Sequence, residues 1–181
     1  MDDRAESVRR NGVSVGLGVA LLMAASQPPV RWTGAVVAKV TGTQPGATHS
    51  TRTVIKVSFV EEPAVDGTRL RSVGSRYQME GTISGRASCH GSADATLTEP
   101  VGRSTVDGSG AYRLRLERGF FGWACGKNVL ARGARDVVIG TPPDPYARRV
   151  EAGRMAGHYV ARQETSDSSY EFTVEWEIKK Q

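Results

Sequence analysis

The 181-residue sequence predicts an all-β fold: an antiparallel small barrel or strongly coiled β-sandwich of about eight strands, with one internal disulfide. Three observations point there. Apolar and polar residues alternate with a period of two over Thr51–Val60, Ala111–Glu117 and Ser169–Lys179, the pattern of strands with one face buried and one in water. Glycine is abundant, with 21 copies, and long apolar helical runs are scarce. The two cysteines, Cys89 and Cys125, each share parity with apolar neighbours, so both thiols are expected to point inward.

The chain opens on a segment of different character. Val13–Ala25 is an apolar run preceded by Arg9-Arg10 and followed by Ser26-Gln27-Pro28-Pro29. It is shorter than the roughly 20 residues a bilayer-spanning helix needs and has the build of a secretory signal core. Ala24 and Ser26 supply the small residues a signal protease reads before Gln27. The expectation is a signal peptide over 1–26 and a single antiparallel β domain over 27–181, secreted or periplasmic, with no membrane span after cleavage. Arg9-Arg10 is followed by Asn11-Gly12 where a twin-arginine signal usually continues apolar. No cysteine lies near the cleavage point, so no lipoprotein anchor is expected.

The strands follow in order. Trp32–Val40 places Trp32, Gly34, Val36, Ala38 and Val40 on one face, and Thr41–Ser50 reads as a loop. In Thr51–Val60, Thr53, Ile55, Val57 and Phe59 alternate with Arg52, Val54, Lys56 and Ser58. Glu61–Ser75 reads as a connection with a turn at Asp66-Gly67. Arg76–Cys89 is a long strand with Gly81 and Gly85 as bending points, and Ala93–Thr98 is its partner. Ala111–Glu117 follows the Asp107-Gly108-Ser109-Gly110 turn, then comes Gly119–Gly126, and Val129–Ile139 holds one or two short strands. Thr141–Tyr146 is a proline-rich loop, and Ala147–Gly153 a helical turn at most. Met155–Gln163 and Ser169–Lys179 make the last hairpin.

Gly34, Gly81 and Gly157 recur in bulky-x-Gly-x-bulky contexts at irregular spacing. An inward glycine lets a strand bend or lets another side chain fill its place. Trp32-Thr33-Gly34 and the compact all-β plan resemble calycin-type barrels such as avidins and lipocalins, a likeness of three residues and a fold class that assigns no family.

In an exported chain the two cysteines read as a disulfide rather than a redox or metal pair, since no CxxC spacing is present. Closing a loop of this size stabilises by about 3–4 kcal/mol in the chain-entropy model. Parity places the bond inside the core beside Trp123.

The formal charge is +5, and removal of 1–26 takes away three arginines and three acids, leaving it unchanged. Lysine and arginine are spread along the chain without the aromatic-laced cluster of a nucleic-acid binder, so no nucleic-acid partner is expected. The partners that fit are an acidic protein, an anionic polymer or a small ligand. A membrane-spanning barrel is not expected, because the alternate faces carry Arg113, Arg115, Glu171, Glu175 and Glu177.

No catalytic residue, metal site or cofactor is expected. His49, His90 and His158 lack metal-ligand spacing, no GxSxG motif occurs, and Glu175 with Glu177 reads as a solvated strand face. Four residues stand out for ligand contact. Phe120 and Trp123 belong to the densest aromatic patch, with core packing of Trp123 as the plainer reading. Arg113 and Arg115, with Arg52 and Lys56, form a basic strip unless the acids of the last strand pair with them. The leading expectation is a non-enzymatic binding or interaction module. The alternatives are an exported enzyme with a site assembled from scattered residues, or a structural envelope component.

Overall fold

A computed structural model of the chain describes residues 28–85, 88–96, 104–116, 120–133, 137–140, 144, 146 and 148–181, with the backbone alone for 120–121 and 128–133. The expected signal segment, 1–26, and the side chain of Phe120 lie outside what is described. The protein is all-β, with twelve strands and no helix among the described residues. The strands are β1 (Arg31–Gln44), β2 (Ala47–Ala64), β3 (Gly67–Ser72), β4 (Arg76–Gly85), β5 (Cys89–Thr96), β6 (Thr105–Asp107), β7 (Tyr112–Leu116), β8 (Phe120–Cys125), β9 (Asn128–Gly133), β10 (Val137–Ile139), β11 (Arg154–Glu164) and β12 (Ser169–Lys180).

All pairings are antiparallel. Eight strands form one sheet in the order β11-β12-β1-β2-β4-β5-β8-β9. A second branch, β3-β6-β7-β10, leaves from the far end of β2. The 18-residue β2 serves both: Ala47–Lys56 pairs with β4, while Phe59–Ala64 pairs with β3. The sheet is not closed, so the small barrel of the two expected architectures is not the one observed, and the twelve strands exceed the eight or so expected.

The second branch folds over the inner face of the main sheet. Leu70, Tyr112, Leu114, Leu116, Val137 and Ile139 from the branch share one core with Trp32, Val36, Ile55, Phe59, Met155, Trp176 and Ile178 from the sheet. The last strand follows its predicted parity, with Val174, Trp176 and Ile178 buried and Glu175, Glu177 and Lys179 exposed.

Three boundaries differ from the sequence reading. The loop expected at Thr41–Ser50 is a two-residue turn, because Pro45 followed by Gly46 (φ 75°) is the residue pair a type II turn uses, and both strands run on to meet it. The connection expected at Glu61–Ser75 contains β3, whose single buried apolar residue, Leu70, left no alternation to read. Of the helical turn expected at Ala147–Gly153, the described residues 148–153 are extended chain and a turn: Arg149 bridges Ala111, and Ala152 (φ 48°) with Gly153 (φ 71°) turns the backbone into β11.

Cys89 and Cys125 face each other on neighbouring strands, β5 and β8, and are joined in a disulfide. The bond closes a 36-residue excursion that carries β6 and β7 into the covering branch. It ties the start of β5 to the end of β8, the end of this strand pair away from Thr96 and Phe120, between which the chain passes through β6 and β7.

Three inward glycines, Gly81, Gly91 and Gly157, make room for tryptophans. A Cβ on Gly81 would stand 2.8 Å from Trp123 Cη2 and 2.7 Å from Thr51 Cγ2, and one on Gly91 would stand 2.9 Å from Trp123 Cδ2. Gly81 and Gly91 are cross-strand partners, so the two floor the indole together. Gly157 does the same for Trp176, with 2.7 Å to its Cζ2. Two of the three recurring glycines of the sequence, Gly81 and Gly157, are thus seats cut into the sheet, whereas at Gly34 a Cβ would meet the β12 backbone at Glu177 and Ile178. Gly81→Ala is expected to lower unfolding free energy by about 1–3 kcal/mol, the usual cost of overpacking. Gly108→Ala, where a Cβ meets nothing within 4 Å, is expected to stay within about 0.5 kcal/mol. Urea unfolding of the two variants, followed by tryptophan fluorescence, checks the contrast.

Candidate functional site

Two groupings of polar side chains merit a chemical reading. The first is buried. Asp144, 3% exposed, accepts hydrogen bonds from the Gly140 amide (3.0 Å), the Tyr146 amide (3.2 Å) and Arg148 Nε (3.1 Å) and Nη2 (3.3 Å). Arg148 Nη2 also donates to the His158 carbonyl at 2.9 Å, and its guanidinium lies 4.9 Å from the centre of the Trp176 ring. Trp176 Nε1 donates to Tyr112 Oη at 2.8 Å, and Tyr159 Oη donates to the Val138 carbonyl at 3.0 Å.

This cluster ties the segment after β10 to the edge of β11 and to the covering branch. Both carboxylate oxygens of Asp144 are taken by donors. Burial pushes the Tyr159 hydroxyl up to about 12, with the Asp144 charge adding to the effect. Burial also raises Tyr112, and the bond from Trp176 opposes that. A proton held this firmly at the working pH suits a clasp; a general base needs the reverse shift. The sequence carried one signal for it, the Asp144-Pro145-Tyr146 turn with an arginine four residues on.

The second grouping is a cleft of about 600 Å³ at the tip of the β2–β3 hairpin, walled also by β6 and β7. Arg69, Thr105 and Arg113 line it. They form one cross-strand row, Arg69 opposite Thr105 and Thr105 opposite Arg113. Leu70, Tyr112 and Leu114 alternate with them and are buried, so the row faces outward. Arg71 shares this face and pairs with Glu62. Among the described residues neither Arg69 nor Arg113 has an ion-pair partner. Asp66 and Asp107 also line the cleft. Asp107 accepts from Ser109 N (2.9 Å), Ser109 Oγ (2.8 Å) and Ala111 N (2.9 Å), and these bonds, led by the Ser109 hydroxyl, hold its carboxyl below the usual range.

Of the four residues singled out from sequence, the three whose side chains are described, Trp123, Arg113 and Arg115, do not converge. Trp123 is buried, 2% exposed, on the inner face of β8, 5.8 Å from the His49 ring. Arg113 and Arg115 stand exposed on β7, which does not pair with β8. Arg113 lines the cleft and Arg115 does not. Arg52 and Lys56 sit on the main sheet, away from the branch, and β1 separates them from the acids of β12. Those acids have nearer partners: Glu171 with Arg162 at 2.9 Å, and Glu177 with Arg154 at 3.2 Å and Lys179 at 3.1 Å. The Lys179 bond and the Arg154 charge hold Glu177 low. Arg69 was missed because β3 was missed. Among the described residues no group of three or more His, Cys, Asp or Glu side chains is placed to hold a metal.

Neither protein-family models nor curated proteins match the chain. Among solved structures it is similar to the translocator domain of autotransporter NalP from Neisseria meningitidis, at 12% identity and a TM-score of 0.29, covering 85% of this chain and 89% of that one. A likeness of that size carries no argument about fold or function.

The tyrosine shift gives a pH dependence with a definite sign. Tyr159 ionises near 10.0 when unfolded and near 12 when folded, so above pH 10 the unfolded state releases its proton first. The stabilisation is complete below pH 10 and is lost as pH rises towards 12. Tyr159→Phe is expected to flatten that loss, and phenolate absorbance near pH 12 should fall by about half a tyrosine in the folded variant, since the group is half ionised there; both are read from a spectrophotometric titration with parallel melts.

Proposed function

We propose that the chain is an exported, non-enzymatic binding module whose covering branch engages an acidic partner through the Arg69–Thr105–Arg113 row. The observation that carries this is the row itself: two arginines without ion-pair partners among the described residues, flanking one short hydroxyl side chain in a cleft. An arginine that is not neutralised within its own fold keeps its full capacity for a charge-assisted, forked hydrogen bond to an external oxyanion. The formal charge of +5 supports the same polarity of partner through long-range attraction. Export is part of the proposal. It rests on Arg9–Ser26 of the sequence and is supported by the disulfide, since paired thiols persist in oxidising compartments.

Binding to an acidic polymer such as polyglutamate, measured by fluorescence anisotropy, is expected to weaken steeply with added salt. Arg69→Ala and Arg113→Ala are each expected to lower affinity about tenfold, the size of one lost charge-assisted bond. Arg162→Ala, on the far side of the main sheet, should leave it unchanged. Equal affinity in all three variants would contradict the proposal.

A further inference from the structure

We propose that the cleft seats a phosphate monoester carried by a lipid headgroup at an anionic membrane surface. This rests on the acidic-partner reading above and narrows it to one chemistry.

The first argument is the shape of the row. Adjacent strands lie about 4.8 Å apart, so Arg69 on β3 and Arg113 on β7 leave the sheet from positions roughly 10 Å apart, with Thr105 between them on β6. Long, forked side chains on either side of a short one make a notch with a hydroxyl at its floor. Two guanidinium forks and a hydroxyl present donors from three directions. A tetrahedral oxyanion with three free oxygens can meet all three, whereas a planar carboxylate has two oxygens in one plane.

The second argument is Val65. It lines the same cleft at the tip of the β2–β3 hairpin and is 100% exposed. A fully exposed apolar side chain beside cationic ones is the arrangement by which proteins sit in a headgroup layer, with the apolar tip at the acyl boundary and the cations at the phosphates. A free phosphate gives Val65 nothing to do.

Two carboxylates stand against an anion here. Asp107 is engaged by Ser109 and Ala111 and lies opposite Gly67, two residues nearer the hairpin tip than the Arg69–Thr105 pair. Arg149 acts on it electrostatically. Asp66 sits in the hairpin turn beside Val65. Together they set the anion away from the turn and onto Thr105, and Asp66→Asn is expected to tighten binding.

The test is co-sedimentation of the full exported chain with vesicles of phosphatidylcholine alone or mixed with phosphatidic acid. Inorganic phosphate and polyglutamate serve as competitors, and melting temperatures are taken in parallel. Binding is expected to phosphatidic acid vesicles and not to phosphatidylcholine. Inorganic phosphate should compete for the seat. Arg69→Ala and Arg113→Ala should each cost about tenfold, and Thr105→Val, which keeps charge and shape, several-fold at an unchanged melting temperature. Val65→Ser, which removes the apolar tip without adding charge, should abolish sedimentation while phosphate still raises the melting temperature. If phosphate binds but vesicles do not, the lipid source is wrong. If polyglutamate binds while phosphate and vesicles do not, the phosphate seat is wrong and the acidic-partner reading stands. If none of the three binds, both fall.

Discussion

Trp176 is where the parts of this protein meet. Its indole occupies space that Gly157 leaves open on β11, and its Nε1 donates 2.8 Å across to Tyr112 in the covering branch. Arg148 stacks on it and carries Asp144 and the segment that follows β10. A sheet with one apolar face must have that face covered, and here the cover is a branch of short strands, two of them only three residues long. Such strands offer little ladder of their own. Their position has to come from side-chain contacts with the sheet below, and the hydrogen bond between Trp176 and Tyr112 is a buried, directional contact of that kind.

The long strand β2 and the disulfide supply the complementary constraints. β2 passes from the sheet into the branch without a break, so the two layers share a backbone at one corner. The disulfide joins the start of β5 to the end of β8, so it locks together the two strands between which the chain makes its excursion into the branch. The branch folds back over the inner face, and its outward face is the one that carries Arg69, Arg71, Arg113 and Arg115. The basic face follows from the coverage of the core: residues alternating with Leu70, Tyr112, Leu114 and Leu116 must point to solvent.

Much of this was legible in the sequence. The last strand, the middle of β2 and β7 show clean alternation, and the inward parity of Cys89 and Cys125 led to the disulfide. The inward glycines were visible as a recurring pattern, but which side chain each one would seat depended on strand neighbours that alternation does not encode. β3 was hidden for a local reason: in Gly67–Ser72 only Leu70 is apolar, and its pairing to β2 and β6 is what makes it a strand. Losing β3 meant losing Arg69, so the sequence offered Arg113 beside Arg115 along one strand, whereas the cleft joins Arg113 to Arg69 across two. Trp123 read more plainly as core than as ligand wall, and its burial over Gly81 and Gly91 places it in the fold.

The central claim is that the Trp176–Tyr112 contact couples the covering branch to the sheet. A double-mutant cycle with Trp176→Phe and Tyr112→Phe, measured by equilibrium urea unfolding, isolates it. Each change keeps a ring in place and removes one partner of the bond. The account predicts that the double variant loses less than the sum of the singles, with a coupling of about 1 kcal/mol or more. Strict additivity of the two losses would contradict it.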